Sequence, residues 1–524
     1  PTICCAGAYS FIGGGFQNSS SGNYSVISGG CKNTASGCYS TIGGGRINLS
    51  SSDNSTVSGG RCNTASNYST TVGGGLCNTA SGSYSAVSGG FKNMASGAGS
   101  FVGAGQANQA LGLSSFLGAG FSNIADGENS IIVGGCGNVI ANCCGATTGT
   151  GTVSFCRNFG FIGGGSVNKI NHCIETGNYE SNATAFGYHT IAGGFCNIAG
   201  QNVTTGSLCS GYTTIGGGFC NRTCGYNATI AGGTCNCSFI NSFIGGGFNN
   251  VASGNFGVIG GGDTNCINQN FAFIGSGSCN IAGIYSFVGS GSNNQATCCS
   301  FIGAGSSNCA SCCSSVINGS TNNAFGMYST VSGLYNTASG DYSFVHGVGN
   351  CSTSSAKYST ANGASSLTYL LAQDSYSAGS FSSVGDAQNT ELVARREATL
   401  DASATANLSL DGTGTTNLIL LNGNNRAWNV HINWIIVLTT LGTGTSGGLI
   451  VGATKTSTDA FMFKKVGGTS SISAISNIAT HQDSGMISAN IAPSVGGSGE
   501  LQLQLVAPST AGTGTTFRAV ATLE

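Results

Sequence analysis

The sequence predicts an all-β chain: a parallel β-roll solenoid of 14–15-residue coils, followed by a β-sandwich or jelly roll. Three observations carry this. Asparagine recurs at Asn18, Asn33, Asn48, Asn63, Asn78, Asn93, Asn108, Asn123 and Asn138, fifteen residues apart each time. Nine residues after the asparagine comes an aliphatic side chain, as in Ile27, Ile42, Val57 and Val72. The chain holds 90 glycines in 524 residues, which opposes helices, while its 40% hydrophobic content and strict period argue for order.

Fifteen residues are too few for a helical pair. They suit two short strands and two tight turns, each coil stacking on the last at about 4.8 Å. The predicted inward ladder is Ile12, Ile27, Ile42, Val57, Val72, Val87, Val102, Leu117, Ile132, Ile162, Ile230, Ile244, Ile259 and Ile274. β-Branched side chains dominate it because they fit a stacked, pleated surface. The Gly-Gly-Gly or Ser-Gly-Gly that follows supplies a corner where positive φ is cheap. Ala35, Ala65, Ala80, Ala95 and Ala125, two residues after their asparagines, suit a narrow interior. The asparagine itself has two readings: bonding to its copies in neighbouring coils, or a left-handed turn.

The position before the aliphatic points the opposite way along a strand. It holds Phe101, Phe116, Phe243, Phe273, Phe287 and Phe301, among others. A monomer would expose this apolar stripe, which soluble proteins avoid. Three-fold association would bury it, so these phenylalanines are the candidate seam of a homotrimer.

Further along, Asn138 to Asn168 is thirty residues, read as two coils with Thr147 in the aliphatic slot of a degenerate one. The steps from Asn168 to Asn197 and on to Asn221 are 29 and 24, the latter placing a projecting loop near 201–210. From Asn280 to Asn350 each step is 14, a tighter turn. The pattern then decays. Residues 1–362 are assigned to the shaft, 363–390 to a neck and 391–524 to a C-terminal domain, and charge becomes commoner late in the chain: 17 of the 32 charged side chains lie from Asp374 onwards. In that last span, AWNVHINWIIVLTT alternates Trp428, Val430, Ile432 and Trp434 against Asn429, His431 and Asn433, the mark of a half-buried strand.

Charged residues make up 6% of the chain, with net charge −2 and pI about 6.2, so neither nucleic acid nor an anionic membrane is expected as a partner. No run of 18 apolar residues predicts a membrane span, and the N-terminal residues lack the basic and apolar segments of a secretory signal. All 25 cysteines lie between Cys4 and Cys351, many just before the asparagine, as in Cys62, Cys77, Cys196, Cys220, Cys235 and Cys279. Small buried side chains, disulfides between coils or chains, and metal ligands remain open readings of them. No catalytic, metal or cofactor site is assigned. Asp126 and Glu128 read as a solvated turn, and His172, His189, His346, His431 and His481 form no ligand pair. The expectation is therefore a chain that is not an enzyme.

The repeats resemble the head repeats of trimeric autotransporter adhesins, and YSVISGGCKNTASG with its glycine corners is similar to repeats in bacteriophage tail fibres. The resemblance covers about two-thirds of the chain. It implies a left-handed roll, a homotrimer, and a structural fibre that adheres to a host surface from the virion surface. GDAQ, LVARR, the SLDG turn and the terminal FRAVATLE resemble C-terminal domains of phage fibre proteins. The implied partners are a host cell-surface glycan or protein and a fibre or tail attachment protein at the N-terminus. Asn422, Asn424, Asn425 and Arg426, in a loop of the last domain, are the receptor-binding candidates. The alternatives are a cellular extracellular adhesin or filament subunit and, less favoured on sparse charge, a polysaccharide-degrading tailspike.

Overall fold

The coil that begins at Cys31 shows how the repeat folds. Thr34–Ala35 pairs in parallel with Ser19–Ser20 before it and Leu49–Ser50 after it. Thr41–Ile42 pairs likewise with Val26–Ile27 and Thr56–Val57. A third stack, one residue wide, links Phe16, Cys31, Arg46 and Arg61. Each coil thus has three sides rather than the two expected. Alternation along each dipeptide turns Ala35 and Ile42 inward and leaves Thr34 and Thr41 at the surface. Every residue of the expected aliphatic ladder from Ile27 to Ile274 is fully buried, and Ile12 packs partly buried against it.

These features belong to a computed structural model that describes residues 4–5, 7–141, 157–171, 186–200, 211–380, 388–410, 426–443, 451–466, 469–473, 475–483, 486, 488–496, 501–509, 511–513 and 515–523. Among the described residues there is no helix, and so none long and apolar enough to cross a membrane. The chain divides into two units, Pro1–Tyr285 and Ser286–Glu524.

In the first unit the asparagines form a buried polar ladder. The side chain of Asn78 accepts from the backbone N–H of Asn93 at 3.0 Å. Its Nδ2 donates to the carbonyls of Gly74 and Gly90 at 2.8 and 2.9 Å. One side chain thereby satisfies groups in its own coil and the next, as buried polar groups require. Of the two readings of the asparagine, inter-coil bonding is the observed one. The left-handed residue is instead its predecessor: Lys32 and Cys62 have φ of 56° and 58°. A second corner does the same with Tyr24 and Tyr39, at 57° and 56°. Glycine is indispensable at the third corner, where a Cβ on Gly45 would meet the Gly60 carbonyl oxygen at 2.1 Å.

The thirty-residue step corrects one expectation. Ile132 pairs directly with Ile162, and the Asn168 N–H donates to Asn138 Oδ1 at 2.9 Å. The two asparagines therefore lie in adjacent coils, and the step is one coil with an insertion rather than two coils; Thr147 lies outside the described residues. The next two steps are built alike, since Asn197 bonds to Asn168 and Asn221 to Asn197. A multiple of the period can hide an insertion, which is why spacing alone misread it.

In the second unit, the 14-residue coils from Asn280, Asn294 and Asn308 lose a residue between their first and second strands, whereas those from Asn322 and Asn336 lose it at the glycine corner, where Thr330–Leu334 and Phe344–Val348 run on as five-residue strands. Parallel pairing continues to Asp374–Ala378, inside the span assigned above to the neck. That strand also pairs antiparallel with Gln388–Leu400. An antiparallel sheet follows in the order Gln388–Leu400, Thr515–Leu523, Arg426–Thr440, Thr454–Val466, Ser476–Gln482. Thr405–Asn407, Leu501–Val506 and Asn490–Val495 form a separate three-stranded sheet. Ile432, Trp434, Phe461, Phe463 and Phe517 from the larger sheet share one apolar cluster with Leu501, Leu503 and Leu505 from the smaller.

Candidate functional site

The first unit departs furthest from its repeat in one stretch. Three consecutive coils there replace the dipeptide strand with Arg157–Ile162, Phe186–Ile191 and Gly211–Ile215, paired in register. The residues that precede these strands, 142–156, 172–185 and 201–210, lie outside the described residues. The widened sheet presents an aromatic column: Phe159 stacks on Tyr188 at 4.7 Å between ring centroids, and Tyr188 on Tyr212 at 5.1 Å. Tyr188 and Tyr212 are exposed, Tyr212 to 63%. On the opposite face of the same strand, His189 is buried, its Nδ1 2.7 Å from Thr213 Oγ1. Burial lowers the His189 pKa from its ordinary 6.5 to about 4, so it is neutral at pH 7. Only the long steps between asparagines signalled this feature in the sequence.

Of the seam candidates, Phe116, Phe243, Phe273, Phe287 and Phe301 are exposed and Phe101 is half-buried. Phe101 stacks on Phe116 at 5.4 Å, and Phe287 on Phe301 at 5.1 Å. Stacked face to face along the coils, these rings offer their edges outward. Asn422, Asn424 and Asn425 lie outside the described residues, while Arg426 opens a strand opposite Lys465.

In the last sheet Trp428 packs on Phe463, and Trp434 is buried. The Trp434 indole donates to Asp459 Oδ2 at 2.6 Å. Asp459 Oδ1 accepts from Ser457 at 3.0 Å and from Asn477 at 2.8 Å. This buried carboxylate was missed by sequence reasoning. It could have been found, because Asp459 shares the inward phase of Ser457, Phe461 and Phe463.

The described cysteines from Cys31 to Cys351 are free thiols. Burial, then contact with Cys62 in the preceding coil, pushes the Cys77 thiol up. The Cys224 thiol is held near 7, chiefly by a hydrogen bond from Cys237, whose own pKa is driven up. Among the described residues no three His, Cys, Asp or Glu converge as a metal site.

No family model and no curated protein matches the chain. Among solved structures it is similar to the tailspike protein of Acinetobacter phage vB_ApiP_P1, at 10% identity over 95% of this chain and 80% of that one, with a TM-score of 0.20. It is similar to the tailspike of Acinetobacter baumannii phage AM24 at 10% identity over 79% and 78%, with a TM-score of 0.22. A third is tailspike gp49 of Acinetobacter baumannii bacteriophage Fri1, a capsular polysaccharide depolymerase, at 9% identity over 97% and 70%, with a TM-score of 0.16. At these scores no residue and no site is carried over. The Fri1 description does correct one expectation: that the chain is not an enzyme no longer stands, because that expectation rested on scarce charge in a shaft-like fold. No catalytic residue is assigned in its place.

Proposed function

We propose that this chain is a trimeric fibre of a bacteriophage tail, which binds a glycan or protein of the host surface. The carrier is the one that the repeat resemblance implies. The observation that supports adhesion is the contrast along the shaft. Coil after coil ties its backbone to the next through the asparagine ladder, and beside that unbroken ladder one widened sheet carries insertions and an exposed aromatic column. Loops and irregularities on a rigid scaffold are where recognition residues collect. In this reading residues 1–362 form the shaft, 363–390 the neck and 391–524 a β-sandwich that also faces the host. The N-terminal end joins a tail attachment protein, and the exposed phenylalanine column is the trimer seam.

Two measurements on the full chain test this. Light scattering should give about three times the 51.8 kDa chain mass, and Phe273→Asp with Phe287→Asp should reduce it to one. Purified protein should adsorb to host bacteria, with released reducing ends read in the same tubes so that cleavage of a surface polysaccharide is detected alongside binding. A monomeric wild type sinks the seam; absence of adsorption across the bacteria tested sinks the adhesion.

A further inference from the structure

Charge in the first coils is segregated by corner. Before residue 157 the only cations are Lys32, Arg46, Arg61 and Lys92, and the only carboxylates are Asp53, Asp126 and Glu128. All four cations occupy the two positions just ahead of the asparagine. All three carboxylates lie between the first and second strands of their coils, and Asp53 is engaged there, accepting from the Cys38 N–H at 2.9 Å. Arg46 and Arg61 are bridge partners in adjacent coils. Lys32 and Lys92 share the neighbouring column, with φ of 56° and 54°. All four side chains are exposed, and none is in an ion pair among the described residues.

Two guanidinium groups in register at the coil spacing of about 4.8 Å repel each other, so the pair is unfavourable until an anion lies between them. Packing this corner against its own copies would add to that repulsion, which leaves it facing solvent in a trimer. We propose that this corner is a binding site for an acidic polysaccharide, a chain with a carboxylate on some of its sugars. This rests on the host-adhesion reading above and names its ligand class. Arg46 and Arg61 would clamp one carboxylate by paired hydrogen bonds. The lysines on either side extend the contact along the ridge. Between the cations lie exposed Ile47 and Leu76, and Lys92 sits 5.1 Å over the Phe91 ring. Such a mixture of apolar surface and sparse charge suits the C–H faces and spaced acids of a sugar chain. Duplex nucleic acid carries a charge about every 1.7 Å and favours denser cations than a chain of net charge −2 supplies.

The test uses the full chain with Lys32→Gln, Arg46→Gln, Arg61→Gln and Lys92→Gln combined. Glutamine already occupies both columns, as Gln17 and Gln106, so the fold tolerates it. The probe is alginate oligosaccharide, a polyuronate, with dextran as the neutral control. Duplex DNA and phosphatidylserine–phosphatidylcholine vesicles test the other polyanions. Wild type should bind alginate at low salt, and the variant should lose about tenfold or more, with unchanged melting. Arg46→Lys with Arg61→Lys should keep most of the binding. The proposal is overturned if wild type does not bind alginate, if the glutamine variant binds as well, or if DNA or vesicles bind more tightly. Adsorption to bacteria, run in parallel, separates the two readings. A variant that keeps alginate binding while both proteins adsorb removes only this site. Alginate binding lost in the variant, with no adsorption by wild type, removes only the adhesion.

Discussion

Replacing Asn78 by alanine is the sharpest probe of how the shaft is held together. The substitution removes the acceptor for the Asn93 N–H and the donor to the Gly74 and Gly90 carbonyls. Gly90 keeps a bond from the Leu76 N–H, so its loss is partial. Asn78 and Asn93 are both buried, and water does not replace what is lost. Orphaning a buried N–H costs about 1–3 kcal/mol, and stranding the Gly74 carbonyl adds about 1 more. The expected total is about 2–4 kcal/mol, concentrated in the coils on either side. Solenoid coils couple mainly to their neighbours, so one global free energy describes the change poorly. Amide hydrogen exchange read coil by coil is the better assay. The Asn93 amide should exchange about thirtyfold faster or more, since 2 kcal/mol corresponds to that factor. Thr79→Ala, on the outer face of the same coil, should leave it nearly unchanged. Equal protection of Asn93 in Asn78→Ala and in Thr79→Ala would refute the ladder as a source of stability.

Three further outcomes follow from single buried groups. Ser85 has a buried hydroxyl with no partner, whereas Ser55 bonds to Ser50 at 2.7 Å; Ser85→Ala should be no less stable than wild type and Ser55→Ala less stable by about 1 kcal/mol, checked by paired thermal scans. His189 has a folded pKa of about 4 against an ordinary 6.5, so the unfolded chain takes up the proton first as pH falls. Stability should be full above pH 6.5 and decline by roughly 3 kcal/mol towards pH 4, and His189→Gln should flatten that difference in melts at pH 7 and 4.5. Ile42→Asp places an unpaired charge in a fully buried position and should unfold the surrounding coils; native exchange rates there would count against an inward Ile42.

The solenoid was legible because its two strongest signals repeat in phase. Burial demands an aliphatic at one position, and buried backbone groups demand an asparagine at another, so both appear in every regular coil. The third side was not legible, because Phe16, Cys31, Arg46 and Arg61 share a backbone position and no side-chain chemistry. The same holds at the left-handed corners, where Lys32, Cys62 and Tyr39 adopt a conformation that their types disfavour. Hydrogen bonds between coils fix it instead: the Tyr39 N–H donates to Asn23 and the Cys62 N–H to Arg46, at 2.8 and 3.0 Å. A coil's conformation is therefore partly a property of its neighbours, and one sequence repeat read alone cannot contain it. The sites follow the same division. Positions that the ladders dictate are readable and serve the fold, whereas the widened sheet and the cationic corner stand where the ladders impose nothing on the side chain. There the sequence is free to vary from coil to coil, and a repeat that otherwise offers one surface many times acquires places that differ.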